Sequence, residues 1–260
     1  MLDYGFYNMD CLEGMKQFPD KYFDLAVVDP PYGSGLTEGG GCAGWFSKYH
    51  QDSESGGGYY NRFGGRFDRY KDNALHVRLE EIEPELREVK RGQNAKKIIT
   101  WDIAPGKEYF DELFRISRNQ IIWGGNYFPL PPTRCFLVWR KLSISESFSM
   151  AMCEYAWTSF NENAKVFEYT PQGRPGDERF HPTQKPVALY EWILNRYTKD
   201  GDVILDTHVG SGSSLIACHN THHKYVGFEI DETYYKLASK RIAEETAQYN
   251  IFDFLEDLNK

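Results

Sequence analysis

Residues 203–214 read VILDTHVGSGSS, and this stretch decides the fold. Its first three residues are apolar and β-prone, which predicts a short buried strand. Asp206 closes that strand, a glycine-containing loop follows, and a helix is predicted from Leu215. Glycines let the backbone approach a ligand closely, and a helix N-terminus attracts negative charge. The order strand, glycine loop, helix therefore predicts a ligand-binding crossover in an α/β sheet.

The rest of the chain continues this alternation. Further strands are predicted at 4–8, 24–28, 97–101, 120–123, 135–139, 152–157 and 225–229. Further helices are predicted at 12–18, 108–117, 186–197, 215–220 and 233–244. Strands that alternate with helices in this way predict an α/β fold with a largely parallel sheet.

Composition excludes several classes of protein. The chain has 260 residues, with 30 Lys+Arg against 38 Asp+Glu and a formal net charge of −8. No apolar run approaches the roughly 20 residues of a membrane span, and the five cysteines lack the spacing of a secreted disulfide framework. We therefore expect a soluble, cytoplasmic protein with no membrane partner. Taken alone, the negative charge also argues against a nucleic-acid partner.

A second acidic residue follows the glycine loop. Glu229 ends the next predicted strand, 17 residues after Gly212. An acid at this position hydrogen-bonds ribose hydroxyls in related folds, so the pair predicts a nucleoside cofactor without a 2′-phosphate. The loop has neither the lysine of a Walker A loop nor the third glycine of the dinucleotide fingerprint. The alternative is that Asp206 and Glu229 are solvated strand-end acids and that Ser213 or Ser214 is a helix N-cap.

A catalytic candidate follows the strand at 24–28. Residues 29–32 read Asp-Pro-Pro-Tyr, and binding sites of α/β sheets lie where the strands end. The other interpretation is a strand terminator followed by a turn, which consecutive prolines often form.

Three motifs together resemble those of a known family. They are Asp29-Pro30-Pro31-Tyr32, His181-Pro182-Thr183-Gln184-Lys185-Pro186, and the loop from Asp206 to Ser214. In this order they resemble the β group of amino-methylating DNA methyltransferases, which use S-adenosylmethionine. The resemblance implies a single Rossmann-like methyltransferase fold over residues 1–260, with helices on both faces of the sheet and a circularly permuted motif order.

The resemblance implies methylation of the N6 amino group of a flipped adenine in DNA, as in restriction–modification systems. Asp29 and the Pro30 carbonyl would accept hydrogen bonds from the amino group, while Tyr32 would stack on the base. Pro30 and Pro31 hold that carbonyl rigidly, because proline fixes φ. Aspartate at the first motif position points to adenine, since the cytosine-N4 enzymes usually carry serine there. Four alternatives stay open: cytosine-N4 methylation, methylation of adenine in RNA, methylation of an amide nitrogen in protein, and a non-catalytic binding subunit.

The resemblance also implies a set of cofactor contacts. The cofactor-binding residues would be Asp10, Thr183, Lys185, Asp206, His208, Gly210, Ser211, Gly212, Ser213 and Glu229. Among these, Lys185 would meet the methionine carboxylate with Thr183 nearby, Glu229 the ribose, and Asp10 the adenine. The methionine end would be lined by Asp206, Gly210 and Gly212. Thr207 and His208 replace the usual Pro-Phe, and His208 would pack against the cofactor as the phenylalanine does.

Other chemistries fit the sequence poorly. Carbon-5 methylation of cytosine needs a Pro-Cys nucleophile, and no cysteine follows a proline. Cys218, His219, His222 and His223 are spaced like metal ligands, but they lie on the helix and turn that follow the glycine loop. We therefore expect no metal.

On so acidic a chain, duplex DNA has to bind through a few local groups of basic residues. Residues 33–75 are rich in glycine, and they end in a basic stretch that includes Arg62, Arg66, Arg69 and Lys71. We expect 33–75 to form a mobile, DNA-facing lid, with the basic residues at 87–97 as a second contact. The alternative for each charge run is an ordinary solvated face. A homodimer is left open.

Overall fold

A computed structural model of the chain describes residues 1–33, 103–146, 151–171, 179–181 and 183–257. The strand expected at 97–101, the lid beyond Gly33 and the basic stretch at 87–97 lie outside these residues.

Eight strands and five helices lie in the described part of the chain. The strands are β1 Gly5–Asn8, β2 Phe23–Val28, β3 Ser117–Trp123, β4 Phe136–Lys141, β5 Cys153–Thr158, β6 Lys165–Tyr169, β7 Val203–Asp206 and β8 Lys224–Glu229. The helices are α1 Cys11–Met15, α2 Lys107–Ile116, α3 Val187–Tyr197, α4 Ser213–Asn220 and α5 Glu232–Asp257, with a short 3-10 helix at Gly125–Tyr127.

The strands form one sheet in the order β1-β8-β7-β2-β3-β5-β4-β6. The first five of these run parallel to one another, and β5 is antiparallel to both of its neighbours. β4 and β6 are parallel to each other. Among the described strands, β5 is therefore the one that runs against the others, and the expected largely parallel α/β sheet is confirmed.

Both faces of the sheet are covered. Leu25 and Val27 of β2 belong to the same core cluster as Leu189 of α3. The intervening Ala26 and Val28 point to the opposite face, because side chains alternate along a strand, and they are fully buried as well. Burial on both sides explains why β2 is a continuous apolar run rather than an alternating one.

Two elements differ from the sequence predictions. β6 at Lys165–Tyr169 was not predicted, because it is short, includes two charged residues and alternates between half-buried and exposed positions at the rim of the sheet. The last helix was predicted to end at residue 244, but α5 continues to Asp257. No glycine or proline follows residue 244 to stop it.

Contacts divide the chain into two compact units. The first comprises Met1–Pro30 and Pro105–Lys260 and contains the whole described sheet. The second is Pro31–Ala104. Among the described helices, none is long and apolar enough to cross a membrane.

Candidate active site

Four acidic residues follow the carboxyl ends of adjacent parallel strands. Asp10 follows β1, Glu229 ends β8, Asp206 ends β7 and Asp29 follows β2. Parallel strands end at one edge of a sheet, so the fold brings these carboxylates to the same edge. Residues that lie far apart in the sequence thus share one site.

The glycine loop adopts a backbone that requires glycine. Gly210 has a φ of +55° and Gly212 a φ of +81°, the left-handed region that other residues rarely adopt. A Cβ placed on Gly210 would lie 3.2 Å from Cε1 of the His181 ring, and one on Gly212 would lie 3.0 Å from Cγ1 of Ile242. The two glycines therefore form a closely packed cradle of bare backbone.

Asp206 is buried beneath this loop. Only 2% of the residue is exposed, its Oδ1 accepts a 2.9 Å hydrogen bond from the His208 amide, and its Oδ2 accepts one from the Ser214 hydroxyl. Burial raises the pKa of Asp206 to about 7, although these two hydrogen bonds oppose the shift. Its carboxyl group thus fixes the start of α4 against the end of β7.

Glu229 fastens the loop from the neighbouring strand. Its Oε2 accepts a 2.9 Å hydrogen bond from the Gly210 amide, and its Oε1 accepts one of 2.9 Å from the Asp231 amide. Burial raises the pKa of this carboxyl group. Two carboxylate oxygens offer about four acceptor positions, so Glu229 retains capacity for ligand hydroxyls.

Asp10 caps helix α1. Its Oδ1 accepts hydrogen bonds from the amides of Leu12 at 2.9 Å and Glu13 at 3.1 Å. The Asp10 carboxylate therefore holds the start of α1 at the same sheet edge as Glu229. Its expected contact with adenine stays a prediction.

His208 packs as an aromatic side chain. Its ring meets the Tyr109 ring edge-on at 5.5 Å, and its Nδ1 is 2.9 Å from the Thr207 hydroxyl. That hydroxyl is in turn 2.6 Å from the Tyr109 hydroxyl. Burial lowers the pKa of His208 to about 4, so the imidazole is neutral at pH 7. A neutral ring in this place suits the expectation that His208 stands in for a phenylalanine.

Lys185 connects the second motif to the first. Its ammonium group forms ion pairs with Oδ2 of Asp29 and, at 3.1 Å, with Oε2 of Glu154, and only 2% of its side chain is exposed. Burial disfavours the charged form, but Asp29 and Glu154 outweigh it and raise the pKa of Lys185 above its usual range. The structure thus places Lys185 against two carboxylates of the chain itself. A contact with a methionine carboxylate stays a prediction.

The remaining predicted residues lie around these. The Thr183 hydroxyl is 3.2 Å from Nδ1 of His181, and the buried hydroxyls of Ser211 and Ser213 are 3.1 Å apart. Pro30 is buried at the end of the first unit. Pro31 and Tyr32 begin the second unit, and their roles stay predictions.

Sequence reasoning missed three charged residues. Arg241 of α5 donates from Nη1 to the Ser211 carbonyl at 3.0 Å and to the Ser213 hydroxyl at 2.9 Å. Lys141 and Glu154 form a 2.5 Å ion pair beside Lys185. The available signal for the last pair was a charged residue within each of two otherwise largely apolar strands, whereas Arg241 lies in a polar helix that offered none.

A metal site is not indicated in the described part of the chain. No group of three His, Cys, Asp or Glu side chains there is arranged to hold an ion. His223 instead lies 2.8 Å from the Thr198 hydroxyl and 2.9 Å from that of Thr221 through its two ring nitrogens.

A largely parallel sheet with a glycine loop and strand-end acids at one edge defines a Rossmann-like α/β fold. A family model described as "DNA methylase" matches residues 138–240. The chain is 36% identical over 80 residues to the type II methyltransferase M.HpaI of Haemophilus parainfluenzae, covering 31% of this chain and 24% of that protein. It is 25% identical over 261 residues to the type II methyltransferase M2.MboI of Moraxella bovis, and that alignment covers 94% of this chain and 89% of M2.MboI.

The solved structure of an M1.HpyAVI–SAM complex is also similar, with a TM-score of 0.46 and 16% sequence identity. The alignment covers 91% of this chain and 98% of the M1.HpyAVI chain. The aligned part of M.HpaI is about a quarter of that protein, whereas the M2.MboI alignment spans nearly all of both chains. The chain is thus similar to DNA methylases over residues 138–240 and, at 25% identity, to one type II methyltransferase over nearly its whole length.

Proposed function

We propose that this protein transfers a methyl group from S-adenosylmethionine to the N6 amino group of an adenine that has been flipped out of duplex DNA. The observation that carries the proposal is the contact between the first two motifs. Asp29 and Lys185 are 156 residues apart, yet they form a buried ion pair at the sheet edge that also holds the glycine loop. Residues of the first two motifs thus meet in one place.

The residues present suit this cofactor. Gly210 and Gly212 give the loop the left-handed backbone that a glycine-rich cofactor loop requires, and Glu229 supplies acceptors for ribose hydroxyls. Beside them, the buried Tyr234 hydroxyl has no hydrogen-bond partner among the described residues, and its ring lies 4.4 Å from that of His181. A polar group of a bound nucleoside would satisfy such a hydroxyl.

When bound, the cofactor supplies a methyl group on a positively charged sulfur, so the reaction needs no metal and no covalent enzyme intermediate. Asp29 then has two tasks. Together with the Pro30 carbonyl, it accepts hydrogen bonds from the adenine amino group, and this favours the pyramidal nitrogen whose lone pair attacks. Its negative charge also stabilises the positive charge that develops on the nitrogen. We assign to the same carboxylate the proton that this nitrogen loses.

The first residue of the catalytic motif supports adenine as the target. Asp29 resembles the adenine-N6 enzymes of the family, whereas the cytosine-N4 enzymes usually carry serine at this position. Tyr32 would stack on the flipped base, a contact that contributes about 1–3 kcal/mol. We further propose that residues 33–75 and 87–97 contact DNA and that the enzyme serves a restriction–modification system in the cytoplasm.

The direct test is methyl transfer to DNA. Purified protein, labelled S-adenosylmethionine and a duplex library are incubated, and the modified nucleosides are identified by mass spectrometry. We expect N6-methyladenine. Replacement of Asp29 by alanine should lower the rate by about 100- to 1,000-fold, because it removes an acceptor aimed at the developing charge, while cofactor affinity is retained.

Asp111→Ala is the matched control, since Asp111 is exposed on α2 and pairs there with Lys107. That variant should methylate at the wild-type rate. N4-methylcytosine as the product would replace the adenine assignment, and label found only in RNA or protein would overturn the DNA substrate.

A further inference from the structure

Four charged side chains of alternating sign form a chain that leads to Asp29. Lys141 of β4 pairs with Oε1 of Glu154 at 2.5 Å, and Glu154 of β5 pairs through Oε2 with Lys185 at 3.1 Å. Lys185 then pairs with Asp29. Glu154 is the central member, because each of its two oxygens binds a different ammonium group.

These four charged side chains are largely shielded from water. The exposed fractions of its side chains are 2% for Lys185, 9% for Lys141, 14% for Asp29 and 25% for Glu154. Burial alone would raise the pKa of Glu154, but the two lysines outweigh burial and lower the pKa to about 2. This carboxylate therefore stays charged at neutral pH. Breaking a buried ion pair leaves an uncompensated charge behind, which makes each link sensitive to substitution.

The arrangement determines how much of the positive charge of Lys185 acts on Asp29. With Glu154 present, that charge is shared between two carboxylates. Without Glu154, it would act on Asp29 alone. A carboxylate that is fully neutralised by an ammonium group is a weaker acceptor for a second donor.

We propose that Glu154 is a positioning residue for methyl transfer: it takes up part of the positive charge of Lys185, so that Asp29 keeps the negative charge that it needs toward the amino group. Lys141 holds Glu154 in place for this task. The inference rests on the proposed function, because it assigns to Glu154 an effect on the acceptor that this function requires. Glu154 itself acts through Lys185 and not on the substrate.

The first test separates catalysis from binding. Glu154→Gln keeps the shape of the side chain and removes its charge. Single-turnover methyl transfer should fall by about 10- to 100-fold, the range typical of changing a residue that orients the ligands of a metal site. The dissociation constants for S-adenosylmethionine and DNA should stay within about twofold, and Glu154→Asp should recover part of the rate. An unchanged rate, or a loss that is entirely in binding, would overturn the proposal.

The control is the same substitution in an exposed pair. Glu168 of β6 pairs with Arg140 of β4 at 2.7 Å, one residue before Lys141. Glu168→Gln should leave the rate unchanged.

A double variant distinguishes the proposed role from general charge balance. Lys141→Gln with Glu154→Gln restores the net charge and leaves no unpaired lysine at position 141. The rate should stay low, because Lys185 still has Asp29 as its remaining partner in the chain of four. Recovery of the wild-type rate would show that only the uncompensated charge of Lys141 had mattered, which would overturn the inference.

A measurement without substrate keeps this inference apart from the proposed function. Slowly exchanging lysine ammonium groups give ¹⁵N NMR signals, and Lys185→Arg would identify that of Lys185. We expect Glu154→Gln to shift this signal and Glu168→Gln to leave it in place. If no nucleic acid is methylated but the signal shifts, the proposed function fails while the charge chain stands. If the signal does not shift, the inference fails whatever the activity.

Discussion

Gly212 illustrates how a single residue shapes the candidate site. It precedes the first residue of α4, has a φ of +81°, and lies against the side chain of Ile242 in α5. A β-branched side chain in a helix has little rotameric freedom, so Ile242 is poorly able to yield to an added methyl group. Backbone strain and steric contact therefore both oppose any other residue at this position.

Gly201 allows these two effects to be separated. It has a φ of +87°, but a Cβ added there would meet no atom of the described residues within 4 Å. Gly201→Ala should lower the free energy of unfolding by about 1 kcal/mol through strain alone. Gly212→Ala should cost about 1–3 kcal/mol more, because it also overpacks the contact with Ile242. Denaturant unfolding of both variants measures the difference, and equal losses would contradict the contact.

At the residue scale, sequence reasoning found the groups that lie at strand ends or in the glycine loop. Their motifs are local, and parallel strands bring them together wherever they lie in the chain. Glu154 was missed because its position beside Lys185 depends on the reversed direction of β5 and on its pairing between β3 and β4. No local pattern around Glu154 contains that information.

Helix α5 supports the glycine loop from outside the sheet. Arg241 is largely buried, and it donates hydrogen bonds to the Ser211 carbonyl and to the Ser213 hydroxyl. Because hydrogen bonds to a charged donor are stronger than neutral ones, this arginine fixes the loop that the cofactor would contact. A helix that the sequence predicted only as an element at 233–244 thus forms part of the site's support.

Replacement of Arg241 by glutamine tests that support. It leaves the buried Ser211 carbonyl poorly satisfied, so we expect a loss of about 1–3 kcal/mol in unfolding free energy. Affinity for S-adenosylmethionine should fall about tenfold, or about 1.4 kcal/mol, as measured by calorimetry. Lys240→Gln is the control, since its exposed side chain pairs with Glu244, and it should change neither quantity. Unchanged cofactor affinity in Arg241→Gln would contradict the role.

At the element scale, the sequence predicted buried strands better than peripheral ones. β2, β7 and β8 were found because runs of buried apolar residues are distinctive. β6 was missed because an alternating edge strand resembles a polar loop, and the end of α5 was misplaced because no stop signal marks it. Tertiary pairing, rather than local propensity, decides such elements.

The charge of the whole molecule restricts where it can bind DNA. A net charge of −8 repels phosphate in general, so binding depends on a few local cations. The basic group at Arg62, Arg66, Arg69 and Lys71 is our proposed contact. Each lysine or arginine that meets a phosphate adds about one to the slope of log affinity against log salt concentration.

Changing these four residues to glutamine should therefore weaken duplex binding and reduce that slope by up to about four. The control is a variant with the same change in net charge, made at four exposed lysines with acidic partners: Lys16, Lys107, Lys236 and Lys240. Fluorescence anisotropy over a salt series measures the affinity for duplex DNA and its salt dependence in both variants. Equal effects in the two variants would show that net charge, rather than a local contact, governs binding.

The order of strands in the sheet also constrains how the protein is made. β1 and β2 are consecutive in the chain, but β8 and β7 lie between them in the sheet. Leu25 is paired with Ile204, and Gly5 with Val226, so both pairings span most of the chain. During synthesis β1 and β2 must wait for β8 and β7 before the centre of the sheet can close. Such long-range pairing slows folding and leaves apolar strand residues exposed in the meantime.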